Sequence, residues 1–133
     1  MNSDGNKVYL IIDDDEVFNF LHSEIISQLD SKAEIIEYNS SVDGLNFINE
    51  TIKNNQTLPD YIFLDIRMPE MSGLELLDEL MKNPIKSFEK VKIFVVTSSL
   101  DDRDKERALS FPIVSGFLIK MITIESLKEH IKQ

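Results

Sequence analysis

The chain has 133 residues, 42% of them apolar, with 24 acidic side chains against 14 basic ones and a formal net charge of −10. That length and apolar content fit one core-forming domain and exclude both a disordered chain and two full domains. The acidic excess, which no basic run offsets, argues against nucleic acid and anionic membrane as partners, and the absence of cysteine removes disulfides, thiolate zinc sites and cysteine nucleophiles.

Taken in chain order, the polar start at residues 1–7 has no signal-peptide core, so a cytoplasmic location is expected. Val8-Tyr9-Leu10-Ile11-Ile12 reads as a strand apolar on both faces, and as the longest apolar run it is far short of the roughly 20 residues that cross a bilayer. Phe18, Leu21, Ile25 and Leu29 then step at helical spacing. Glu34 to Tyr38, with two glutamates, reads as an edge strand, and Val42, Leu45, Ile48 and Ile52 mark a second helix that ends in the polar stretch Lys53 to Thr57. Tyr61 to Leu64 is a third strand. After it Ser72-Gly73 opens a helix through Leu74, Leu77 and Leu80, which Asn83-Pro84 closes. Ile93 to Val96 is a fourth strand, and Asp101 to Ser110 a marginal helix with only Ala108 and Leu109 as its stripe. Phe117 to Ile119 is a fifth strand, followed by a helix capped by Thr123 and Ser126 with Ile124, Leu127 and Ile131 on one face.

The strands start about every 24 to 32 residues, the length of a strand, a crossover helix and two loops. The fold expected is α/β, a (βα)₅ doubly wound parallel five-stranded sheet, with residues 1–133 forming one domain and no output domain attached. In such a sheet the loops leaving the carboxyl ends of the strands carry the site. Those loops hold Asp13-Asp14-Asp15-Glu16, then Asp65-Ile66-Arg67-Met68-Pro69, then Thr97-Ser98-Ser99, and finally Lys120. Each has a plain structural reading: Asp14 or Asp15 as a helix cap, Asp65 as a solvated loop acid, Thr97 as a turn residue, Lys120 as a counter-ion. Their convergence on one rim is what points to chemistry. Three close carboxylates must take up a proton or share a cation, and an all-oxygen donor set selects a hard ion, Mg²⁺ best of all. A carboxylate nucleophile with such an ion, a hydroxyl and an ammonium is equipped for phosphoryl transfer. His22 and His130 read as surface histidines.

Four motifs in this order, Leu10-Ile11-Ile12-Asp13-Asp14-Asp15-Glu16, Phe63-Leu64-Asp65-Ile66-Arg67-Met68-Pro69-Glu70-Met71-Ser72-Gly73, Val95-Val96-Thr97-Ser98 and Gly116-Phe117-Leu118-Ile119-Lys120, resemble the receiver domain of two-component response regulators, the CheY-like family, over essentially the whole chain. The resemblance implies strand order 2-1-3-4-5 and a flavodoxin-like topology. It implies Asp65 as phosphate acceptor, with Asp13, Asp14, Asp65 and the backbone carbonyl of Arg67 as ligands of Mg²⁺. Thr97 and Lys120 would stabilise the phosphoryl group, Thr97 and Phe117 would form the switch, and Arg67 and Ser99 match positions that tune dephosphorylation. Pro69 and Gly73 match the loop that holds the acceptor open. The implied partners are a sensor histidine kinase or histidine phosphotransfer protein and a downstream protein target. No turnover of external substrates is implied, only the chain's own phosphorylation and dephosphorylation. Met121 stands where the family commonly has proline, so a trans bond after Lys120 is expected.

Three other readings compete. Ile11 to Val17 also satisfies the acid-x-acid pattern of haloacid-dehalogenase-type phosphatases, but Asp101-Asp102, a candidate for that class's further acidic pair, precede Lys120 where they should follow it. A flavodoxin-type cofactor binder would offer hydroxyls and backbone donors after the first strand, where this chain offers acids. A docking module without phosphorylation would not need the acids, the threonine and the lysine together.

Overall fold

Strand and helix alternate as the apolar periodicity requires. A computed structural model describes residues 6–98 and 101–131. Its elements are β1 (Val8–Ile12), α1 (Glu16–Leu29), β2 (Glu34–Tyr38), α2 (Ser41–Lys53), β3 (Tyr61–Asp65), α3 (Gly73–Leu80), β4 (Lys92–Thr97), α4 (Asp102–Ser110), β5 (Val114–Ile119) and α5 (Ile124–His130), with a short 3₁₀ turn at Ile85–Phe88. All strand pairs are parallel, in the order β2-β1-β3-β4-β5. The sheet therefore reverses its winding between β1 and β3, where a doubly wound fold opens a crevice. Among the described residues no helix is long and apolar enough to cross a membrane.

Because strand side chains alternate, each strand feeds two cores. Leu10, Ile12, Ile62, Leu64, Ile93 and Val95 pack with Leu45 and Ile48 of α2 and with Leu74, Leu77 and Leu80 of α3. Tyr9, Ile11, Tyr61, Phe63, Phe94 and Val96 pack on the other face with Ile26 of α1 and Leu127 of α5. Aromatic rings stack across this second face, Tyr9 on Tyr61 at 4.9 Å and Phe63 on Phe94 at 5.6 Å between centroids. Side-chain caps start the helices: Asp15 for α1, Ser40 for α2, Asp101 for α4, and reciprocal capping boxes at Ser72/Glu75 for α3 and Thr123/Ser126 for α5.

Four sequence expectations need correction. The fifth strand begins at Val114, three residues earlier than its apolar run, because Ser115 and Gly116 interrupt that run; a register shift between Ile93 and Phe94 absorbs Ser115, and Gly116 pairs with Phe94. The deepest line of α1 is Asn19, His22 and Ile26, while the stripe Phe18, Leu21, Ile25 and Leu29 flanks it half-buried. Two polar residues tolerate that depth because each has a partner: the Asn19 amide donates to the Asp13 carbonyl (2.9 Å), and His22 Nε2 accepts from the Ile122 N–H (3.5 Å). His22 is therefore not a surface residue, being 2% exposed, while His130 is half-buried, donating from Nδ1 to the Ser126 carbonyl and lying edge-to-face with Phe94. Finally, the Lys120–Met121 bond is cis, not trans. On either side of it the Lys120 N–H donates to the Thr97 carbonyl (2.9 Å) and the Ile122 N–H to the His22 imidazole.

The loop after β3 folds back so tightly that a Cβ on Gly73 would lie 2.2 Å from the Asp65 carbonyl oxygen and 2.9 Å from the Ile66 Cα. The obstacle is backbone, so no rotamer change relieves it. Gly73→Ala is expected to lower stability by about 2 to 4 kcal/mol in urea denaturation. A loss under about 0.5 kcal/mol would show that the loop simply moves aside.

Candidate functional site

The site is assembled by strand ends. Ile12 lies opposite Leu64 in the β1–β3 ladder, so Asp13, just beyond β1, and Asp65, the last residue of β3, emerge side by side. Within the acidic run after β1 the roles divide. Asp15 is the helix cap, accepting from Val17 N–H at 2.9 Å, which frees Asp13 and Asp14 for other work. Asp13 is 3% exposed, with Oδ1 accepting from Asp15 N–H (2.9 Å), and Asp14 next to it faces solvent. Carboxylate oxygens of Asp13, Asp14 and Asp65 all lie within 4.8 Å of one another.

Among the described residues, one cation forms ion pairs with two of them. The Lys120 ammonium is 2.7 Å from Asp13 Oδ2 and 3.5 Å from Asp65 Oδ1, with its side chain 7% exposed. Its shorter contact is thus with Asp13 and its longer one with Asp65. Burial above all, then repulsion from Asp13, pushes the Asp65 carboxyl up to about 6, and the attraction of Lys120 does not cancel this. A hard dication fits such a rim: every donor is oxygen, two carboxylates are buried, and the exposed Asp14 leaves an open approach.

The other predicted residues fall around this centre. Thr97 ends β4, fully buried, one register step beyond Val96, which lies opposite Asp65. Phe117 lies opposite Val95 and packs half-buried against the core under α2, α3 and α4. The Arg67 side chain forms an ion pair with Asp104 of α4 (2.8 Å). Ser99 lies outside the described residues. Sequence reasoning missed Phe18, Asn19 and His22 as neighbours of the site; the spacing of Phe18 and His22, one turn apart on a helix that starts beside the acids, was the available signal.

An acid-lined rim at the switch point of a parallel α/β sheet is the arrangement of a phosphoryl-accepting domain. The chain belongs to the response regulator receiver domain family, whose sequence profile matches residues 9–132; it is a receiver domain of two-component systems. A two-component response regulator from Cytophaga hutchinsonii superposes with a TM-score of 0.83 at 30% identity, over 93% of this chain and 92% of that one. The probable methanogenesis regulatory protein FilR2 of Methanothrix harundinacea is 24% identical over 95% of this chain and 79% of its own length. The Mn(2+)-bound form of response regulator Rcp1 shares the fold, with a TM-score of 0.72 at 24% identity over 91% of this chain and 87% of that one. Several other curated relatives are longer, the match spanning between 12% and 50% of their length.

The raised Asp65 carboxyl has a consequence for stability. Its folded value of about 6 lies above the ordinary 3.8, so the folded chain binds that proton more tightly than the unfolded one. The stability this contributes is present below pH ~4 and is lost as pH rises through about 6. Asp65→Asn, neutral at every pH, is therefore expected to be more stable than the wild type at pH 7.5 in chelator by on the order of 1 to 3 kcal/mol. The gap should shrink toward pH 4.5 in paired urea titrations; an unchanged gap would mean that Asp65 is not held against its charge.

Proposed function

We propose that Asp65 accepts a phosphoryl group from the phosphohistidine of a sensor histidine kinase or histidine phosphotransfer protein, and that Asp13, Asp14, Asp65 and the Arg67 backbone carbonyl hold Mg²⁺ for this step. The observation that carries the reading is the buried Asp65 carboxylate among two further carboxylates and one ammonium, at the carboxyl end of β3. When bound, Mg²⁺ supplies positive charge against the phosphoryl oxygens and against the clustered carboxylates.

The chain's own groups do the rest. An Asp65 oxygen bonds to phosphorus while the phosphorus–nitrogen bond breaks, its electron pair leaving with the donor imidazole, which takes a proton. The Lys120 ammonium turns from the carboxylates toward the new phosphoryl oxygens, and the Thr97 hydroxyl donates to another of them. Water later attacks phosphorus, the bond to Asp65 breaks, and phosphate departs with the carboxylate restored. The cycle leaves the chain unchanged and turns over no substrate other than the donor's phosphoryl group.

The signal leaves through a changed protein-binding surface. As Thr97 shifts toward the phosphoryl group, Phe117 follows into the space, and the α4, β5 and α5 face alters for a downstream protein. Support for this comes from α4, whose one buried residue is Ala108. Arg67 and Ser99 set the lifetime of the phosphoryl group.

Intact-mass spectrometry after acetyl phosphate and Mg²⁺ is expected to show one added phosphoryl group on the wild type and none on Asp65→Asn. Labelling of the variant would place the acceptor elsewhere. In calorimetric titration Asp14→Asn should weaken Mg²⁺ binding by roughly ten-fold or more, and an unaltered affinity would remove Asp14 from the ligand set.

A further inference from the structure

The Lys120 ammonium has a third neighbour besides Asp13 and Asp65: the Phe18 ring, whose centroid is 4.2 Å away. Phe18 stands one helical turn before His22 on α1, and the two rings lie 5.8 Å apart with planes at 35°. His22 in turn accepts from the N–H of Ile122, two residues beyond Lys120. Two adjacent side chains of one helix thus grip both the head of Lys120 and the backbone that follows it. An apolar residue would fill the His22 position without the cost of burying an imidazole, so the polar bond is the feature that needs a reason. Burial holds the His22 imidazole below its usual value, outweighing the pull of Asp13, and the neutral ring keeps the Nε2 lone pair that the Ile122 N–H requires.

We propose that Phe18 and His22 are positioning residues for Lys120: the Phe18 face seats the ammonium within reach of Asp65, and His22 pins the loop that carries it. The proposal rests on the reading that Lys120 receives phosphoryl charge on Asp65. A lysine head on a flexible four-carbon stem otherwise settles on its strongest partner. Here that partner is Asp13 at 2.7 Å, with Asp65 at 3.5 Å. An aromatic face attracts the cation without competing for its hydrogen bonds in the way a third carboxylate would.

The test separates the seat from the chemistry. In metal-free labelled protein, the Lys120 side-chain protons should show the upfield ring-current shift of an overlying aromatic, lost in Phe18→Leu and kept in Phe18→Tyr. With Mg²⁺ and acetyl phosphate, Phe18→Leu and His22→Leu should slow phosphoryl uptake by about five-fold, while Phe18→Tyr and His22→Asn recover most of that loss. Absence of the ring-current shift in the wild type, or wild-type uptake rates in both leucine variants, would overturn the proposal, as would equal slowing in Phe18→Tyr and Phe18→Leu. Phe18 is only half-buried, so its two variants decide the matter even if His22→Leu does not fold. Failure of the wild type to take up phosphate would sink the relay reading instead, and the Lys120 proton shifts would still decide whether the seat exists.

Discussion

Mutual repulsion between carboxylates that the fold will not let separate is the constraint on which this domain is built. Asp13 and Asp65 sit on neighbouring strand ends whose register is fixed by a core on each face of the sheet, so neither can retreat into water. One lysine balances them only in part. Burial first, and then this repulsion, leave an Asp65 carboxyl reluctant to ionise, and the crowded charge is of the kind that a dication would offset. Stability is given up locally so that a ligand has something to relieve.

The sheet makes this possible by doing two jobs with one alternation. Even-numbered residues of β1 bury against α2 and α3, odd-numbered ones against α1 and α5, and the ends are left to point polar groups at the crevice. A slip of one residue in the β1–β3 ladder would exchange the two cores and carry Asp13 away from Asp65. The site is therefore specified by hydrophobic packing far below it.

Much of this was legible in the sequence. Parallel strands buried on both faces announce themselves as continuous β-branched and aromatic runs, and the acids fall where those runs end. What was not legible has physical causes. Gly116 and Ser115 hide the first half of β5, because a residue chosen for close approach to Phe94 and His130 carries no strand signal. Asn19 and His22 look like solvent-facing positions until their distant partners are known, since a buried polar group is justified only by what it bonds. The pairing of Arg67 with Asp104, 37 residues apart, belongs to the folded surface and leaves no pattern in the chain. The roles of Asp15 and Asp14 separated only when the cap geometry was visible.

The absent side chain at position 73 divides the molecule mechanically. With α3 starting flush against the Asp65 peptide, that side has no slack, and a push delivered at Asp65 cannot be absorbed there. On the same face of the sheet α4 buries Ala108 alone, and its Asp104 pairs with Arg67 of the loop before α3. One helix is braced and its neighbour lightly held, so a displacement at this end of the sheet meets less resistance at α4 than at α3.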